Sequence, residues 1–130
     1  MIKREQEIVT ALFEDLVRSP LKSFPVHREK IDAPNEQGVY IIYGPREVVL
    51  HVGRTPYAKS GIAQRLRNHM AGASSFTVRH LERDGSKLRH GHSFRCLVVE
   101  DQRHRALLEA YATGRLCPAH IGHGERRLKA

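Results

Sequence analysis

Residues 38–69 read GVYIIYGPREVVLHVGRTPYAKSGIAQRLRNH, and the pattern of this stretch decides the fold. Val39, Ile41 and Tyr43 alternate with Tyr40 and Ile42, a β-branched and aromatic run that predicts a strand. Val48 to Val52 repeat the signal after Gly44-Pro45-Arg46-Glu47, so the two runs predict a hairpin. An even-length turn sets Tyr43 opposite Val48 and Tyr40 opposite His51. Tyr40, Ile42, Val49 and His51 then line one side, and an odd-length turn would shift this by a residue. Gly53-Arg54-Thr55-Pro56 leaves the sheet. A helix follows from Ser60-Gly61 to about Ala71, with Ile62, Leu66 and Met70 as its buried stripe at i, i+4, i+8. Arg65 and His69 form a second i, i+4 pair at the edge of that stripe.

Outward from this stretch, Lys3 to Val17 places Ile8, Val9, Leu12, Phe13, Leu16 and Val17 on one helical stripe. Ser19-Pro20 ends that helix, and Lys22 to Asn35, broken by Pro25 and Pro34, reads as irregular. Gly72 to Gly91 reads as loop with one helical turn near Val78 to Arg83. Phe94 to Glu100 predicts a third strand. Arg103 to Arg115 predicts a last helix whose apolar face uses Ala106, Leu107, Ala110 and Tyr111, with Leu108 alongside. Glu109 interrupts that apolar run. Gly114 and Cys117-Pro118 mark its end.

The length of 130 residues fits one domain, and 40% hydrophobic with 28% charged residues fits a globular chain. No apolar run approaches the roughly 20 residues that span a bilayer, and the first residues lack a signal-peptide core. Two cysteines, Cys96 and Cys117, are too few for a disulfide framework. A cytoplasmic protein without a membrane partner is therefore expected. Lys and Arg number 22 against 14 acids, a formal net charge of +8. That balance suits a polyanion, because phosphates neutralised by cations release condensed counterions. Aromatic content of 6% does not favour a base-stacking platform for single strands.

Gly38-Val39-Tyr40, His51-Val52-Gly53 after the turn, Arg65 with His69 one turn on, and Glu109 in the last helix resemble the GIY-YIG nuclease superfamily. Order, spacing and element type agree over about Gln37 to Gly122. The resemblance implies an α/β (α+β) domain, a small three-stranded antiparallel sheet flanked by helices, here with an extra N-terminal helix. Residues 1–35 are then an accessory helix and linker, 36–122 the nuclease-like domain and 123–130 a basic tail. The accessory helix offers a surface to a second copy or a protein partner. The resemblance also implies hydrolysis of DNA phosphodiesters, in double-stranded or branched form, with a divalent ion, Mg²⁺ or Mn²⁺. Residue by residue, Tyr40 matches the tyrosine that helps activate water and Arg65 the arginine on the scissile phosphate. His69 matches a histidine many members carry, and Glu109 matches the metal-anchoring glutamate. His51 stands where the pattern has tyrosine. Pro118-Ala119-His120 puts histidine where members often have asparagine.

These residue types suit the chemistry. Phosphodiester hydrolysis needs an activated water and a stabiliser for the added negative charge. Arg65 offers a planar, permanently charged fork. Tyrosine, with an ordinary pKa of about 10, is a poor base at neutral pH, so a Tyr40/His51 unit is expected to share the task. Arg54, Lys59, Arg67, Ser74 and Ser75 are the candidates for backbone phosphates. Two alternatives stand beside this reading. One is a catalytically silent DNA-binding module of the same fold. The other is a zinc site drawing on His90, His92, Cys96, Cys117, His120 and His123.

Overall fold

The computed structural model describes residues 2–27, 29–56 and 61–121. Helix α1 (Ile2–Arg18) leads into a two-residue strand β1 (Lys22–Ser23), followed by β2 (Gly38–Tyr43) and β3 (Val49–Arg54). Helices α2 (Ile62–Met70) and α3 (Ser75–His80), strand β4 (Ser93–Val98) and helix α4 (Gln102–Leu116) complete the order. The strands form one antiparallel sheet in the order β1-β4-β2-β3. Four strands thus replace the expected three. The added one pairs Lys22 with Phe94 and Ser23 with Ser93, within a segment whose sequence carries no strand period.

Helices cover both faces of the sheet, which explains why β2 is buried at every position rather than alternately. On one face Tyr40, Ile42 and Phe94 pack with Ile62, Leu66, Phe76 and Leu88. On the other, Val39, Ile41, Tyr43 and Val52 pack with Phe13 and Leu16 of α1 and Leu108 and Ala112 of α4. Most of the apolar stripe of α1 is therefore spent on this chain's own core, with Ile8 left exposed. Phe13 meets Tyr111 edge-on at 5.2 Å, and Glu5 binds Arg103 through both carboxylate oxygens at 2.8 and 3.1 Å. The buried line of α4 is Arg105, Leu108 and Ala112, whereas Ala110, expected on the apolar face, is exposed. No helix among the described residues is long and apolar enough to cross a membrane.

The hairpin register departs from expectation twice, and the two departures offset each other. Residues 44–48 make an odd turn with Arg46 and Glu47 in the left-handed region, at φ 64° and 57°, so Tyr43 faces Val49. A bulge then skips Leu50, and Ile42 faces His51 while Tyr40 faces Gly53. Each shift exchanges the faces once, so His51 still shares a face with Tyr40. Val49 does not: it packs toward α1 and α4, and Leu50 takes its place beside Tyr40 and Ile42.

Helix α2 begins where its first amides are satisfied from outside the helix. Ile62 N donates to Glu36 O and Ala63 N to Pro34 O, both at 2.9 Å. Its N-cap, Gly61, lies so close to the Asn35 carbonyl that any Cβ there would collide with it. The chain before β2 therefore anchors the helix that carries Arg65 and His69.

Candidate active site

Tyr40 points from the middle of β2 toward α2. Its partner across the hairpin is Gly53, and a Cβ there would run into the Tyr40 hydroxyl. The glycine is thus the space the phenol occupies. The Tyr40 hydroxyl meets His69 Nε2 at 2.7 Å, and His69 Nδ1 meets Ser74 Oγ at 2.6 Å. Ser74 is the N-cap of α3, accepting from Thr77 N at 3.2 Å, with Thr77 Oγ1 accepting from Ser74 N at 3.3 Å. A capping box therefore anchors the far end of a Tyr40–His69–Ser74 chain.

Three expectations need correcting here. The imidazole on the Tyr40 hydroxyl is His69, whereas the Tyr40 and His51 rings stand 6.1 Å apart. His69 is also fully buried rather than at a helix edge, because α3 and Phe76 close over it. Ser74 turns inward for the same reason and is no surface contact for a phosphate.

His51 stacks on Phe76, 5.1 Å between centroids at 16°, and its Nδ1 lies 3.1 Å from His120 Nδ1. His80 packs against Phe76 and His120, so four imidazoles surround one phenylalanine. Neither His80 nor His120 was among the catalytic candidates foreseen from sequence. The Pro118-Ala119-His120 departure was the available signal for His120, and only the fold reveals His80.

Arg65, partly exposed on α2, lies between this cluster and Glu109. It lowers the pKa of Tyr40, His51 and Glu109, so its charge reaches all three. Among the described residues its buried Nε has no acceptor. Glu109, on α4, receives the Arg54 Nε–H on Oε1 at 2.9 Å. Arg54, Pro56, Arg65, Gln102 and Glu109 line an open cleft of about 470 Å³.

Burial sets the resting protonation. It pushes Tyr40 up to about 12, against the opposing pull of Arg65. It also lowers His51 to about 3 and His69 to about 2, with neighbouring cations and imidazoles adding to the shift. At neutral pH Tyr40 is therefore a phenol, and the His51 and His69 imidazoles are neutral. A phenol at about 12 is ionised in roughly one molecule in 10⁵ at pH 7, so Tyr40 is no resting base. Burial raises Glu109, against Arg54 and Arg65.

The remaining candidates scatter. Arg67 is exposed, bonds Gln64 and lines a separate cleft with Lys30 and Arg89. Ser75 is exposed at the start of α3. Lys59 lies outside the described residues, as does His123 of the zinc alternative. The described zinc candidates do not gather: among the described residues no three His, Cys, Asp or Glu side chains are placed to hold an ion. Cys117 ends α4 in the left-handed region and is exposed. Glu109 is the cleft residue whose carboxylate oxygens would suit a magnesium-type ion, and Arg54 already engages one of them.

No family model matches this chain, and no curated protein matches it either.

Proposed function

We propose that this chain is a GIY-YIG-type endonuclease that hydrolyses DNA phosphodiesters. The observation that carries the reading is the cleft lined by Arg54, Arg65 and Glu109, where Arg65, its buried Nε–H without an acceptor among the described residues, acts through its charge on both Tyr40 and Glu109. Tyr40, Arg65 and Glu109 come from β2, α2 and α4, elements far apart in the chain, and they supply the functions hydrolysis needs.

In this reading Arg65 takes the scissile phosphate and neutralises charge that builds up on it. The Tyr40 hydroxyl, held by His69, orients the attacking water rather than deprotonating it at rest. A bound phosphate brings negative charge next to imidazoles that burial and Arg65 hold low, and so raises them toward the range of a useful base. A divalent ion on Glu109 would supply Lewis-acid stabilisation of the phosphoryl oxygens. Arg54, released from Glu109, becomes a second contact for the nucleic-acid backbone.

The alternative is a DNA-binding module of the same architecture that does not cleave. The Arg54–Glu109 ion pair favours it, since the carboxylate is already engaged. Nicking of duplex, single-stranded, flapped and branched DNA with Mg²⁺ or Mn²⁺ separates the two readings, comparing wild type with Glu109→Ala and Tyr40→Phe. The nuclease reading expects ion-dependent cleavage that falls at least about 100-fold in Glu109→Ala, the scale of a lost transition-state contact. No cleavage of any form, with salt-sensitive binding retained, selects the module.

A further inference from the structure

The nuclease reading assigns work to Tyr40, His51, Arg65, His69 and Glu109, and leaves His120 without any. Yet His120 is built into the site with unusual care. The left-handed residue Cys117 turns the chain out of α4, and buried Pro118 follows. Ala119 N then donates to Val49 O at 3.2 Å and His120 N to Leu50 O at 2.9 Å. This lays His120 alongside His51 as a parallel bridge on the outer edge of β3, with no exposed surface. The His120 ring is wedged by Phe76 at 5.8 Å and His80 at 5.1 Å.

The decisive contact is Nδ1 to Nδ1 at 3.1 Å between His51 and His120. Two bare nitrogens at that distance would set lone pair against lone pair, so one of them carries the proton and donates to the other. The pair then has two arrangements. With the proton on His120, His51 accepts at Nδ1 and must carry its own proton on Nε2, making that nitrogen a donor. With the proton on His51 Nδ1, its Nε2 is a bare acceptor. The ring nitrogens of an imidazole point away from one another, so His51 Nε2 is directed away from His120. The nearby Arg65 guanidinium, a cation with donors only, favours an acceptor on His51 over a second donor.

We propose that His120 is a positioning residue that accepts the His51 Nδ1–H, locking His51 in the tautomer whose Nε2 is a bare acceptor for a water or a substrate hydroxyl. This rests on the nuclease reading for its purpose but not for its geometry. A metal-ligating histidine is commonly fixed in the same manner by the partner on its other nitrogen. Here the partner is a second imidazole, on the segment that leaves the helix carrying Glu109.

The test is nitrogen-detected imidazole NMR on the ¹⁵N-labelled full chain at pH 7.5, beside cleavage kinetics. Wild type is expected to show His51 protonated on Nδ1 alone, with a nitrogen–nitrogen coupling across the hydrogen bond to His120. In His120→Ala, His51 is expected to exchange between both tautomers while the fold persists by circular dichroism. If that variant does not fold, the wild-type spectrum alone decides the matter. On whichever nucleic acid wild type cleaves, kcat is expected to fall about 10- to 100-fold with KM unchanged, the usual scale for an orienting partner. A proton on His51 Nε2, or an absent coupling, overturns the proposal. So does unchanged kcat in a folded His120→Ala. Absence of cleavage by wild type removes the nuclease reading, while the spectrum still decides the tautomer.

Discussion

Lowering the pH from 7.5 to 4.5 is expected to remove much of this protein's stability, and the buried imidazoles set the size of the loss. His51 and His69 are held at about 3 and about 2 in the folded chain, against about 6.5 when unfolded. Both pKa values are depressed, so the unfolded state binds the extra protons. Their contribution is complete above pH 6.5 and is lost as pH falls toward the folded values. Each group costs about 1.4 kcal/mol per pH unit below 6.5, hence about 5 kcal/mol for the pair by pH 4.5. Native domains hold about 5–15 kcal/mol in total, so acid unfolding should begin between about pH 5 and 4.5. Urea unfolding followed by circular dichroism at half-unit pH steps measures it. The expected slope below pH 6 approaches about 2.7 kcal/mol per unit, two protons' worth. Stability flat from pH 6.5 to 4.5, or NMR titration of either ring near 6.5, would refute the reasoning.

Other outcomes follow from single contacts. Gly53→Ala puts a methyl into the Tyr40 hydroxyl and should cost about 1–3 kcal/mol in urea unfolding, as overpacking does; an unchanged midpoint contradicts the close approach. Arg54→Gln frees Glu109 Oε1 and should tighten Mn²⁺ binding about two- to fivefold in isothermal titration without nucleic acid. A half-exposed ion pair is worth at most about 1 kcal/mol, so a weaker affinity would show that Arg54 does not compete. Phe76→Ala removes the ring under His51, His69, His80 and His120 and should cost about 3–5 kcal/mol, read as a fall in the melting temperature.

Much of the fold was legible because periodicity is local. The stripe of α1, the strand pattern of Val39 to Tyr43 and the i, i+4 spacing of Ile62 and Leu66 each declare their element within a few residues. Strand β1 was not, since Lys22 and Ser23 have no period and pair only because β4 presents an open edge. Helix α3 hides in a polar stretch whose one signal is the Ser74/Thr77 capping box. The site was legible as a set of residues but not as a set of bonds. Tyr40 and His69 could be named together, yet which imidazole meets the phenol depends on a bulge at Leu50 that no pattern announces. The contacts His51–His120 and Arg54–Glu109 join residues 69 and 55 positions apart, a separation over which sequence spacing carries no information.

The central place of β2 has a consequence for how the chain must be made. Gly38-Val39-Tyr40-Ile41-Ile42-Tyr43 is apolar on both faces and lies between β3, which follows at once, and β4, which ends at Val98. At about 5–20 residues per second of synthesis, the strand waits a few seconds for its second neighbour. A six-residue window with high β-propensity and no charge is the kind that pairs with its copies on other chains. Crowded expression should therefore favour aggregation from nascent chains, and slower initiation should relieve it more than any change to the finished surface.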